Sequence, residues 1–185
     1  MLRRKQQGFT FIEAIIAFMV LATSIIGVVS MQALSKKGSF DAVQRALATS
    51  LANDIVQRMR VNVAGVAANS YSGTFLYFES NSSLNRCRSA GSPCSSGSIA
   101  ASDLYEWKMA IFGADVTQSG GNAGGLISPT ACISHLAGAV SVVIAWSGRT
   151  ETSDAAASKA EGSLAAGCGT ASTKRRQVYI DTFIY

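Results

Sequence analysis

Apolar and polar positions fall into three regimes along this chain. The first is a run without charge. After Glu13 the next charged side chain is Lys36, leaving 22 uncharged residues from Ala14 to Ser35, broken only by Thr23, Ser24, Ser30 and Gln32. At about 1.5 Å per residue a helix of this run reaches roughly 33 Å, enough to cross a bilayer core. The second regime, Phe40 to Arg60, repeats every four positions: Val43, Leu47, Leu51, Ile55 and Met59, widened by Ala48, Ala52 and Val56. Arg45, Asp54, Gln57 and Arg58 lie mainly off that stripe, so the segment reads as an amphipathic helix with one face for a core. No proline precedes Pro93, and only Gly27 and Gly38 weaken the run. The pattern predicts one helix from about Phe9 to Val61, with a membrane half and a core-facing half.

The third regime is period two. Val140, Val142, Ile144 and Trp146 alternate with smaller residues within Ala139 to Trp146. From Gln177 to Tyr185 the chain alternates again, and Leu126 to Ser128 is a third, shorter strand candidate. Between the spine and these strands lies irregular sequence. Thr74 to Phe78 is a strand-like patch, and Ser80 to Ser98 is a Ser/Gly/Asn-rich loop. Asp103 and Glu106 have capping-box spacing and predict a short helix through Phe112, with Leu104, Trp107, Met109 and Ile111 as its apolar surface. Gly120 to Gly125 reads as a hairpin or loop turn, since it lacks the GK[ST] ending of a phosphate-binding loop. Residues 147 to 173 are small and polar and read as a loop. The fold predicted is α+β: a long N-terminal α-helix on an antiparallel β-sheet of three to five strands.

The junction before the apolar run carries the most specific chemistry. Met1 to Gln7 holds Arg3, Arg4 and Lys5 and no acid, followed by Gly8-Phe9-Thr10-Phe11-Ile12-Glu13. The basic side stays cytoplasmic by the positive-inside rule. A secretory signal places its small-residue cleavage site beyond the apolar run; here Gly8 lies before it. Cleavage at Gly8 would retain the apolar helix and make Phe9 the new N-terminus, with Glu13 four residues behind. A carboxylate beside a membrane span is costly to bury and calls for a partner, and the amine of Phe9 would be one. This arrangement resembles the signal of type IV prepilins and pseudopilins. The resemblance implies that prepilin peptidase cuts between Gly8 and Phe9 and N-methylates Phe9. It also implies that Glu13 pairs with a neighbouring subunit's Phe9 amine in a filament. The resulting organisation is a leader over 1–8, a transmembrane and filament-core helix over 9–35, and a periplasmic pilin-like head over 36–185.

Charge and cysteines adjust this picture. The formal charge is +5, of which Arg3, Arg4 and Lys5 would leave with the leader, bringing the remainder to +2. Lys174-Arg175-Arg176 and Lys36-Lys37 remain as basic clusters. The former reads as a solvated turn before the last strand, so nucleic acid is not an expected partner. Cys87, Cys94, Cys132 and Cys168 read as two disulfides on an oxidising side of the membrane. Three connectivities are open; proximity favours Cys87–Cys94 and Cys132–Cys168. Their spacing does not match structural zinc patterns, and neither metal nor cofactor is expected.

No catalytic arrangement is legible. His135 has no second histidine, and Ser134 lacks the surroundings of a nucleophile elbow. Leu51 to Asn62, Asp103 to Trp107 and Val140 to Trp146 resemble parts of the PilV-type minor pilins. That resemblance implies a non-enzymatic subunit that assembles with other minor pilins and the major pilin to prime a pilus. It moves from the inner membrane, where prepilin peptidase processes it, into the pilus. A minor pseudopilin of a type II secretion system and a membrane-tethered binding or DNA-uptake module are the alternatives.

Overall fold

The computed structural model describes residues 8–80, 84, 86–87 and 93–184. The basic leader, parts of the Ser80 to Ser98 loop and the terminal Tyr185 lie outside the described residues. The chain divides into two compact units, Met1–Ser39 and Phe40–Tyr185. Helix α1, Phe11–Val61, contributes to both.

In the first unit, the helix is solvent-facing throughout its apolar stretch, whose mean hydropathy is 2.4 with none of it buried. Its small polar side chains satisfy themselves: Thr23, Ser24 and Ser30 donate to carbonyls three or four residues back. Gly27 and Gly38 remain helical, and Gly8, Phe9 and Thr10 precede the helix, which begins two residues later than expected.

In the second unit, α1 is followed by α2 (Val63–Ala67), β1 (Gly73–Phe75), α3 (Ser96–Phe112) and a small hairpin, β2 (Thr117–Gln118) with β3 (Gly121–Asn122). Then come β4 (Thr130–Leu136), β5 (Ala139–Ser147), α4 (Leu164–Gly167) and β6 (Arg175–Phe183). The main sheet has the order β1-β4-β5-β6, antiparallel throughout. The register sorts side chains between its faces. Ala131, Ile133, Val140, Val142, Ile144 and Trp146 form one core with the α1 stripe and with Trp107 and Ile111 of α3. Cys132, Val143 and Ala145 face the other way and pack against Ala165 and Cys168. The β4–β5 turn is Ala137-Gly138, both at positive φ (50° and 85°), the two-residue turn whose twist matches its strands.

This is the α+β architecture expected, with several elements moved. Helix α3 begins seven residues before Asp103, capped by Ser95, whose side chain accepts from Ser98 N–H. Asp103 and Glu106 are therefore mid-helix and serve another purpose. The helix ends at Gly113 (φ 67°), where a Cβ would fall 1.9 Å from the Gly124 carbonyl oxygen. Leu126 to Ser128 is not a strand; the strand starts after Pro129, as β4. Its first four residues are all buried, so TACI has no outward polar position to betray a period of two. The Thr74 to Phe78 patch yields only β1, with Leu76 and Tyr77 exposed. The last strand starts at Arg175 and ends at Phe183. On α1, Val43 is exposed and Gln44 is buried in its stead.

Candidate functional site

Gly8 and Phe9 lie in exposed, non-helical backbone, and no atom comes within 4 Å of a Cβ built on Gly8. The Gly8–Phe9 peptide stands just ahead of the first helical turn. That turn closes on the Thr10 carbonyl, which accepts from the N–H of Glu13 (3.1 Å) and Ala14 (3.3 Å). Glu13 sits in the first turn, where the unpaired amides of a helix favour a negative side chain. Its carboxylate is exposed and has no partner among the described residues. The neighbouring surface is apolar: Phe11, Ala14, Ile15, Phe18, Met19 and Ala22 line one shallow groove along the helix. Phe9 and Phe11 are more than four-fifths exposed.

Polar clamps hold the head half of α1. Gln44 donates through Nε2 to the Gly125 carbonyl (3.2 Å), and its Oε1 accepts from Ile127 N–H (3.0 Å). Asp41 accepts the N–H of Arg149 and Thr150 and the Thr150 hydroxyl. Burial opposes its ionisation, but these donors outweigh it and hold its carboxyl below the usual range. Arg58 reaches Asp54, Asp103 and Glu106 together, which is the role of the two acids expected to cap α3. Tyr71 donates to Asp103 (2.6 Å) and accepts from Asn62 Nδ2 (3.0 Å). Burial, then the Asp103 bond, pushes the Tyr71 hydroxyl pKa up. Trp107 Nε1, fully buried, donates to the Leu51 carbonyl at 2.7 Å.

The structure joins Cys87 to Cys94 and Cys132 to Cys168. The second bond ties the 148–174 excursion to β4. The Lys174-Arg175-Arg176 cluster departs from the solvated turn expected of it. Arg175 is buried in β6 with Nε 2.6 Å from Asp154 Oδ1 and Nη2 2.9 Å from Oδ2. Its Nη1 donates to the Gly169 carbonyl at 2.9 Å. The Arg175 guanidinium, against a smaller burial effect and helped by the N–H groups of Ala156 and Ser172, lowers the Asp154 pKa to about 2. Arg176 donates to the carbonyls of Thr150 and Thr173. With Arg175 committed internally, the cluster loses its middle charge as a nucleic-acid contact. His135 is half-buried beside the β4–β5 turn, its Nε2 accepting from Gly138 N–H (3.2 Å). No group of three potential metal ligands occurs among the described residues.

Two families match this chain. The prokaryotic N-terminal methylation motif matches residues 3–29, and the Tt1218-like family, described as type IV pilin Tt1218, matches residues 30–105. No curated protein and no solved structure matches. The two matches abut, covering the Gly8–Glu13 junction, all of α1 and α3 as far as Tyr105. With the long apolar helix and antiparallel sheet, they support a type IV pilin-like protein, a subunit of the pilin type. The methylation motif implies processing by prepilin peptidase and assembly with other pilins. The missed signals are mostly tertiary: nothing in the sequence pairs Arg175 with Asp154 or Gln44 with Ile127.

Proposed function

We propose that the chain is a minor pilin of the PilV type. Prepilin peptidase of the inner membrane cleaves Gly8–Phe9 and methylates the Phe9 amine. The protein then waits as a single-pass inner-membrane protein (9–35) with its 36–185 head in the periplasm. It next assembles with other minor pilins and the major pilin to prime a pilus. Its role is structural and non-enzymatic. The observation carrying this reading is the wholly unburied apolar face of α1 beside the Gly8-Phe9…Glu13 junction. Such a face is stable only against lipid or against other helices. Packing among subunits replaces lipid contact, which makes extraction from a bilayer tolerable. Glu13 supplies the register by pairing with a neighbour's Phe9 amine, relieving the cost of carrying a carboxylate into that apolar environment.

Mass spectrometry of sheared surface filaments tests this directly. The expected finding is a peptide beginning at N-methylated Phe9. Methylated Phe9 confined to the membrane fraction would favour a pseudopilin of a secretion system. An intact Met1 terminus would refute the cleavage assignment.

A further inference from the structure

Strand β6 closes one side of the sheet, and its outer edge is open. The bonds Ile184 N–H to Gly138 O and Gly148 N–H to Lys174 O fix which residues face β5: the even-numbered ones. Arg175, Gln177, Tyr179, Asp181 and Phe183 therefore point their N–H and C=O groups away from the sheet. Arg175 is capped, donating to Ser172 O and accepting from Ala155 N–H. The other four have no backbone partner among the described residues. Folds ordinarily blunt such an edge with proline, a bulge, an edge lysine or a very short strand. The opposite edge, β1, is three residues long. Gln177 to Phe183 has no proline, bulge or lysine, and its one charged side chain, Asp181, is engaged by Ser141.

The surroundings of this edge are specific. On the core side, Val178 and Ile180 are only partly covered, and Arg60 reaches over from α1, its Nη2 3.3 Å from Thr182 Oγ1. Arg60 has no carboxylate partner among the described residues. On the other side, Lys159 Nζ sits 5.5 Å from the Tyr179 ring centroid, also without an ion pair, and Phe183 is 67% exposed. Asp181 is already engaged by the Ser141 hydroxyl. We propose that the β6 edge from Gln177 to Phe183 receives one extended strand of a different protein, with acidic side chains at both ends of an aliphatic centre on the face that meets Arg60. Main-chain bonds to four outward residues supply the affinity, and Arg60 chooses an acidic strand over a basic one. A second copy of β6 is a poor occupant, because the only acid it brings between Gln177 and Phe183 is Asp181, whose carboxylate already accepts from Ser141. The inference does not depend on where the chain stands in a filament.

The test is amide exchange by NMR on the full chain in detergent micelles. The probe is a blocked heptapeptide with threonines on one face and glutamate, valine and glutamate on the other. Added peptide is expected to abolish exchange at Gln177, Tyr179, Asp181 and Phe183 while leaving rates in α1 unchanged. The same peptide with lysines for glutamates, or N-methylated at alternate amides, is expected to leave all four exchanging. Arg60→Glu is expected to reverse the preference between the glutamate and lysine peptides. Unchanged exchange with the glutamate peptide, or equal protection by the lysine or N-methylated peptide, would overturn the proposal. So would protection that appears on raising the protein concentration alone, because the occupant would then be a second copy.

Discussion

At the scale of residues, the head rests on a few buried polar pairs whose removal leaves a partner stranded. Arg175 and Asp154 are the clearest. Replacing Asp154 by Asn leaves a buried guanidinium without its charge partner, and is expected to cost on the order of 3 kcal/mol in urea unfolding followed by tryptophan fluorescence. The pH dependence has a definite sign. A carboxyl whose folded pKa lies below its ordinary 3.8 stabilises the fold above that value, and the contribution fades as pH falls toward about 2. The wild-type unfolding midpoint should therefore drop between pH 4 and pH 2 more steeply than that of Asp154→Asn. Trp107→Phe removes the donor to the Leu51 carbonyl while keeping most of the ring, and about 1 kcal/mol of destabilisation is expected by the same assay. Glu13 is different in kind, since its carboxylate has no partner among the described residues. Glu13→Ala should be cleaved and methylated normally yet be missing from sheared filaments on immunoblots. Normal incorporation would refute its pairing role.

At the scale of elements, stability is local sequence held by distant staples. Cys132 joins the central strand β4 to the residue after α4, closing a loop 36 residues in separation. Loop-closure entropy gives about 4 kcal/mol for this bond and about 2.5 for Cys87–Cys94. Replacing each pair by alanines should rank in that order in thermal unfolding, and only the 132/168 pair should expose residues 148–174 to proteolysis. Legibility in the sequence also varied by element. The spine was plain, because fifty residues without proline sustain first an uncharged run and then a four-residue repeat. Strand β5 was plain because large residues alternate with smaller ones although Val142 to Trp146 is buried on both faces, and β6 because one of its sides is more exposed than the other. Strand β4 was hidden, because burial on both faces erases the alternation. Helix α3 starts earlier than its apolar pattern shows, because its first turns, Ser96 to Ala101, are serine, glycine and alanine with little apolar signal besides Ile99. Its start is set by the Ser95 cap and by packing of Ala100 in the core.

At the scale of the molecule, one helix is shared by two environments. Its first part presents an apolar surface that none of the described residues covers, and its second part is clamped to the loops flanking β4 and β5 through Asp41 and Gln44 and to α3 through Arg58. A pilin-type subunit needs that division, because its anchor must change surroundings while its head stays folded. The α+β class, the spine and the N-terminal methylation motif were legible in sequence alone, because each rests on local periodicity or on adjacent residues. The tertiary structure alone decided which strand occupies the sheet centre, which acids meet Arg58, that Arg175 is internal rather than solvated, and that β6 keeps an open edge. Each of these depends on residues tens of positions apart meeting in space, and local pattern carries no record of such meetings.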